Sequence, residues 1–437
     1  MREGMVIPKL RPIDVRPTVD RGRPLLLLRD PLGISDKIVV VPQALGPLLA
    51  LCDGSRTVPE LHAGFLVRTG LQITPDLVQK LVDQLDGALL LESDGFGDAY
   101  AEALDDYRTA PFRQPTLAGA GYPTEPADLR QLLDDHLAAA AGNQAGAGAP
   151  SESDRGNGGQ AGISGLVSPH IDFQRGGPVY AQVWGQAAEA VRAADLAVIF
   201  GTDHAVDTSL ITLTRQHYAT PYGTLPTATP VVDAMAAAIG EDKAFAEEIH
   251  HRGEHSIELA AVWLHHVRGG QPCELVPILC GSFQHFVEAV EDPAVDPILS
   301  RALDALRRAT MGRRVIVVAA ADLAHVGPAF NDPLPVDYVR YLRLQAADEI
   351  LIDTITHSDA HAFFRTIAAE GNRRNVCGLS PIYLALNLLD GKVTGELTGY
   401  DRCPADGQNT SFVSICGVVF RDQNEGKSDG GSAANQR

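Results

Sequence analysis

LAVIFGTDH, residues 196–204, runs apolar for most of its length and then turns abruptly polar. An unbroken apolar run of this length reads as a strand buried on both faces, the kind found in sheets sandwiched between helices. Working outward, the pattern recurs at GLVSPH (165–170), CELVPILC (273–280), RVIVVAAADL (314–323) and FVSICGVVF (412–420). Helical periodicity fills the gaps, at about 178–193, 230–239, 256–268, 297–310, 337–355, 359–369 and 380–389. Strand and helix in alternation predict an α/β fold with a helix-flanked sheet. Upstream, ADLRQLLDDHLAAAA (127–141) places Leu129, Leu132, Leu133 and Leu137 on one helical face.

Composition narrows the function classes. The 437 residues are 45% hydrophobic and 21% charged, as in globular chains, with a net charge of -19. That sign opposes nucleic-acid binding and docking on an anionic membrane, both of which need basic residues. No apolar stretch reaches the roughly 18–20 residues of a membrane span, and the opening MREGMVIPKLRPIDVRPTVD has no secretory pattern. Six cysteines (52, 273, 280, 377, 403 and 416) are scattered without a CxxC pair. The expectation is a reduced, cytoplasmic protein without disulfides.

The chain divides by composition. Residues 1–97 show two strands at PLLLLRD (24–30) and DKIVVVP (36–42), forming a hairpin. Helices follow at about 43–51, 57–69 and 75–87, with Thr57 and Glu60 forming a capping box, and then a strand at ALLLES (88–93). The expected organisation is a small winged-helix-like module over 1–97, a connector over 98–121 and the α/β domain over 115–422. A Gly/Ala/Ser-rich stretch at 142–165 reads as a flexible insertion, and 423–437 as a disordered tail.

Histidines sit at three strand ends: His170 closes GLVSPH, Asp203 and His204 close LAVIFGTDH, and Asp322 and His325 follow RVIVVAAA. Ligands of open α/β sheets bind beyond the carboxyl ends of strands. Each residue also has an ordinary reading. A His after a strand can be tied to nearby backbone, and TDH or Asp322 can be a cap or turn. Glu254 in EHSIE (254–258) can favour a helix dipole, and Cys377 can be a small buried hydrophobe. Cys273, Cys280 and Cys416 lie inside strand runs and read as core. The pairs His250–His251 and His265–His266 read as surface or packing residues.

Taken together, GAGYPTEPADLRQLLDDHL (119–137), SPHIDFQRGG (168–177), GTDH (201–204), EHSIE (254–258), AADLAHVG (320–327) and NVCGLSPIYLAL (375–386) resemble, in order, the Memo family, protein B of the AmmeMemoRadiSam gene set. The resemblance covers about 300 residues and implies the mixed-sheet fold of class III extradiol dioxygenases, in which non-haem iron cleaves aromatic rings. It implies metal-facing roles for His170 and His204, and a ligand role for Cys377 where the dioxygenases place a carboxylate. It further implies an acid/base role for His325, and pocket-lining or bracing roles for His255, Glu258 and Asp322. The chain departs from the family in IDF after His170, GTDH for Gly-Pro-Ser-His and Leu-Ser after Gly378, which bears on substrate space rather than on the ligands. The N-terminal pattern IVVVPQALGPLLALCDGSRTVPEL…LVDQLDGALLLE resembles PqqD-like peptide-recognition domains.

Two imidazoles and a carboxylate suit Fe(II) and O₂ chemistry. A thiolate in the third position is softer and adds copper, zinc or thiolate-ligated iron as candidates. Asp322 is positioned in sequence to orient His325. The reading therefore centres on a mononuclear iron or copper protein with redox or oxygen-dependent activity, zinc being the weaker choice in the absence of an HExxH spacing. Its alternatives are an extradiol-type dioxygenase and a non-catalytic protein that binds a peptide, small molecule or protein. For the last of these, the resemblance implies radical-SAM and AMMECR-type partners.

Overall fold

A computed structural model describes residues 6–146, 162–205 and 209–423. The chain forms two compact units, one of Met1–Pro111 with Glu248–Gly253, the other of Phe112–Glu247 with Glu254–Arg437. Most of the expected insertion at 142–165 and nearly all of the expected tail lie outside the described residues. The ends of that insertion are regular: the helix Pro126–Gly146 runs into it, and a strand begins at Ile163. Among the described residues no helix is long and apolar enough to cross a membrane.

The N-terminal unit is a three-stranded antiparallel sheet, β1 (Asp14–Asp20), β2 (Arg23–Arg29) and β3 (Val39–Pro42), in that order. It is accompanied by helices at Val58–Thr69, Pro75–Gly87 and Asp94–Thr109. The β2–β3 pairing is the expected hairpin, and Glu60 accepts from the Thr57 backbone at 2.8 Å as the capping box requires. Three features differ from expectation. Strand β1 was hidden by its charges and by Pro17, which an edge strand tolerates. The run at 88–93 is not a strand: Leu89 has a left-handed φ of 58°, and Leu90 and Leu91 are apolar because they fill the core. The supposed connector begins as the helix Asp94–Thr109, so the break between units falls at Pro111 rather than at residue 97.

In the larger unit the strands are β4 (Ile163–Ser168), β5 (Leu196–Thr202), β6 (Ile211–Leu213), the small hairpin β7 (Tyr218–Thr220) and β8 (Gly223–Leu225), β9 (Glu274–Cys280), β10 (Val315–Ala320), β11 (His325–Val326), β12 (Val393–Pro404) and β13 (Phe412–Asp422). The main sheet has a parallel heart, β4-β10-β5-β9. Its margins are antiparallel: β6 on β9, β13 on β4, and β12 and β11 on β13. It is thus the mixed, helix-flanked α/β sheet that was expected. Strand β12 escapes sequence reading because Gly395, Gly399 and charged residues interrupt its apolar pattern at the sheet's margin.

Side-chain alternation builds a core on each face. From β5, Leu196, Val198 and Phe200 enter one core while Ala197 and Ile199 enter the other. From β10, Val317 and Ala319 go one way and Ile316, Val318 and Ala320 the other. The first core is completed from the helices Thr229–Ile239, Pro297–Ala309 and Leu379–Leu389, the second from Phe173–Gln186 and Ser256–Val267. His251, His265 and His266 are buried, which makes them packing residues.

Candidate metal centre

Because β4, β10 and β5 are parallel neighbours, their carboxyl ends lie side by side. The residues that follow, His170, Asp322 and His204, therefore meet at one edge of the sheet. Cys377 arrives from the turn before the helix Leu379–Leu389. Its loop is held by Thr202, whose hydroxyl donates to the Cys377 carbonyl at 3.1 Å, and by the Gly378 N–H, which donates to the Asp322 carbonyl at 3.0 Å. A Cβ on residue 378 would lie 2.4 Å from that carbonyl oxygen, so only glycine lets the loop approach this closely.

One ligand atom from each of His170, His204 and Cys377 lies within 4.8 Å of the other two. Both rings are oriented by acceptors on their far nitrogens. His170 Nδ1 lies 2.9 Å from the Ala320 carbonyl, and His204 Nδ1 lies 2.9 Å from Glu254 Oε2. When each ring gives up its Nε2 proton, Nδ1 keeps its own on these acceptors and Nε2 presents a lone pair that can bind an ion. His170 Nε2 sits 3.3 Å from Cys377 Sγ. The donor set, two imidazole nitrogens and a sulfur, fits a soft or borderline transition-metal ion.

Charge balance favours the thiolate. Burial opposes ionisation of Cys377, but the neighbouring His170 and His325 outweigh it and hold the thiol down to about 5. Burial likewise disfavours a charged His170, yet Asp322 and Cys377 raise it to about 9; His204 is raised in the same way by Glu254 and Cys377. Cys280, Cys403 and Cys416 show the opposite behaviour, burial pushing each thiol up. All six cysteines are free.

The site opens on a cavity of about 700 Å³ whose walls include Leu117, Gly121, Ile171, Phe330 and Val413. His255 and His325 also line it. The His255 ring stacks on His204 with centroids 4.9 Å apart, and burial, with the nearby His204 and His170, keeps it neutral by lowering it to about 4. His325 Nδ1 faces the Leu323 and Asn375 carbonyls at 3.3 and 3.2 Å, and its ring meets Phe330 edge-on.

One expected role changes. Asp322 serves His170 instead of His325: Oδ1 accepts from the His170 backbone N–H at 2.8 Å, and Oδ2 is 3.8 Å from His170 Nε2. The reason is registry, since Asp322 and His170 leave adjacent parallel strands at the same level. Glu258 stands behind the cavity lining as a brace. It is fully buried away from the cavity wall and pairs with Arg113, while also accepting from Thr116 N–H at 2.8 Å, Leu117 N–H at 2.9 Å and the Tyr122 hydroxyl. It braces the segment that carries Leu117 and Gly121.

Sequence reading missed Glu254, taken there as a helix-start residue. Its side chain is buried and joins His204 to the helix Ser256–Val267, the carboxylate accepting from the His204, His255 and Ser256 N–H groups at 3.1, 2.7 and 2.8 Å. Its place beside His255 in EHSIE was the available signal. Glu254→Gln keeps the shape but removes the charge that makes His204 a strong donor. We expect metal affinity to fall about 10–100-fold with little loss of fold, measured by competition against a chromophoric chelator; unchanged affinity would reduce Glu254 to packing.

Strand ends bring two imidazoles together, and a helix-leading turn adds the Cys377 sulfur, so this α/β protein carries a donor group able to hold a metal ion beside a cavity lined by a further histidine. The family model described as "Memo-like protein" matches residues 113–419, and the chain belongs to that family. It is 24% identical to a MEMO1 family protein of Aquifex aeolicus over 94% of this chain and 99% of that one. It is 26% identical to one from Archaeoglobus fulgidus and 27% to one from Methanococcoides burtonii, over 71% and 69% of this chain and 99% and 91% of theirs. At 94% coverage the Aquifex match extends through most of the N-terminal unit, whereas the archaeal matches leave about that much of the chain uncovered.

Proposed function

We propose that this Memo-family protein binds one iron or copper ion through His170, His204 and Cys377 and uses it in redox or oxygen-dependent chemistry on a small molecule in the adjoining cavity. The observation that carries the reading is the orientation of both rings: each Nδ1 is tied to an acceptor, leaving Nε2 for the ion beside Cys377 Sγ. A bound redox metal supplies electron transfer to or from a substrate and a positive charge that steadies the thiolate. His325, on the cavity wall, is placed to give or take a proton, while the neutral His255 offers a hydrogen bond. Leu117, Ile171, Phe330 and Val413 exclude water from the substrate's apolar part. Among the described residues the third donor grouped with His170 and His204 is a sulfur, which disfavours an extradiol-type reaction and a hydrolytic zinc centre.

Copper or iron bound through Cys377 gives a sulfur-to-metal charge-transfer band in its oxidised form. We expect that band in the reconstituted protein, its loss in Cys377→Ser, and oxygen uptake with reductant that His325→Ala slows at least tenfold. A protein that binds metal without the band, or consumes no oxygen with any reductant or catechol offered, contradicts this reading. A second reading, a peptide- or protein-binding protein acting with a radical-SAM or AMMECR-type partner, is favoured by β1 and β3. Both are sheet edges with exposed Val19 and Val40, suited to pairing with an added strand.

A further inference from the structure

A second cavity, of about 280 Å³, lies in the larger unit. Its apolar wall is Val326, Val336, Leu344 and Ala347, and its polar wall carries Arg340, Arg343 and Arg374 with Glu370. Two of the arginines are locked in place. Arg340 Nη2 pairs with Asp332 at 2.5 Å and Nη1 donates to the Leu334 and Pro335 carbonyls. Arg374 Nε pairs with Glu370 at 2.9 Å and Nη1 with the fully buried Asp348. Those bonds fix the two guanidinium planes yet leave donors over: Arg340 Nε and Arg374 Nη2 have no partner among the described residues. Arg343 has no acidic partner among them at all, and of the three acids only Glu370 lines the cavity. Uncommitted guanidinium donors in a fixed fork recognise a carboxylate or phosphate. Four aliphatic side chains opposite reward an apolar body and gain nothing from a bare ion.

We propose that this cavity binds a small organic carboxylate with an apolar body, the anion held by Arg343 with the spare donors of Arg340 and Arg374, and the body against Val326, Val336 and Leu344. The occupant sits next to β11, the strand that carries His325. Val326 faces this cavity while its neighbour His325 lines the other, and the His325 N–H donates to the Arg374 carbonyl at 2.7 Å. An anion pulling on Arg374 therefore acts on the backbone that positions His325.

The test uses 4-fluorobenzoate as the probe, followed by fluorine NMR on the full-length protein. Acetate, inorganic phosphate and benzyl alcohol serve as competitors, and the Arg343→Ala and Leu344→Asn variants accompany the wild type. Arg343 is exposed, so its replacement leaves the fold intact. We expect saturable binding, at least tenfold weaker in Arg343→Ala. Acetate, phosphate and benzyl alcohol should compete at least tenfold less well than unlabelled benzoate. Binding unchanged in Arg343→Ala places the probe elsewhere and overturns the proposal, as does phosphate competing as well as benzoate, or no binding at millimolar probe. Leu344→Asn, if folded by circular dichroism, should weaken benzoate but not the residual competition by acetate; equal loss of both would remove the apolar half of the argument.

Discussion

Protein purified anaerobically and loaded with Fe(II) or Cu(I) is expected to hold about one ion per chain, and His170→Ala, His204→Ala and Cys377→Ser to hold almost none. Each variant removes one of three donors that converge from separate elements. Loss of a direct ligand should exceed the roughly 10–100-fold penalty typical of an outer partner. His170→Ala and His204→Ala also leave Asp322 and Glu254 facing vacated space, so circular dichroism should accompany the elemental analysis. Metal that binds only the folded chain stabilises it by about 2.7 kcal/mol at a free concentration a hundred times Kd. The wild type should therefore gain melting temperature on loading and the variants should not. Metal retained in all three variants would relocate the site, and no metal in the wild type under either loading would favour the peptide-binding reading.

The second large effect concerns stability. Arg113 and Glu258 are both fully buried, and removing one member strands the other's charge in the core. Arg113→Ala and Glu258→Ala should each cost about 3–5 kcal/mol, read from urea unfolding. Arg113→Met combined with Glu258→Leu should cost less than either single change, because no orphan charge remains; a double variant worse than the sum of the singles would refute that account. Burial opposes ionisation of Glu258, but Arg113, Tyr122 and Thr116 outweigh it and hold the carboxyl below its ordinary value. Its contribution is then complete above the unfolded pKa of about 4.3 and disappears as pH falls through the lower folded value. The wild type should lose this stability on acidification, whereas the double variant should be less acid-sensitive.

Much of the fold was legible because the parallel strands are buried on both faces and so read as unbroken apolar runs, as LAVIFGT does. What stayed hidden lies at margins: β1 with its proline, β12 with its glycines and charges, and a buried Leu90–Leu91 turn that imitates a strand. In the centre, His170 and His204 stood out as histidines at strand ends, while Cys377 became a candidate through resemblance, since its loop is far away in sequence. Pairings were the weakest part. Asp322 was matched with a neighbour in sequence when the sheet gives it a neighbour in space, and the direction of Glu254 depends on how its helix begins.

The helix Ser256–Val267 takes on a further meaning from its first turn. Glu254, just before it, holds His204, and Glu258, one turn along, holds the Thr116–Leu117 wall. Ligand and wall thus hang from one shaft. A slight roll of that helix would move the His204 imidazole and the cavity wall together, so that admitting a larger guest and re-aiming that imidazole become a single motion.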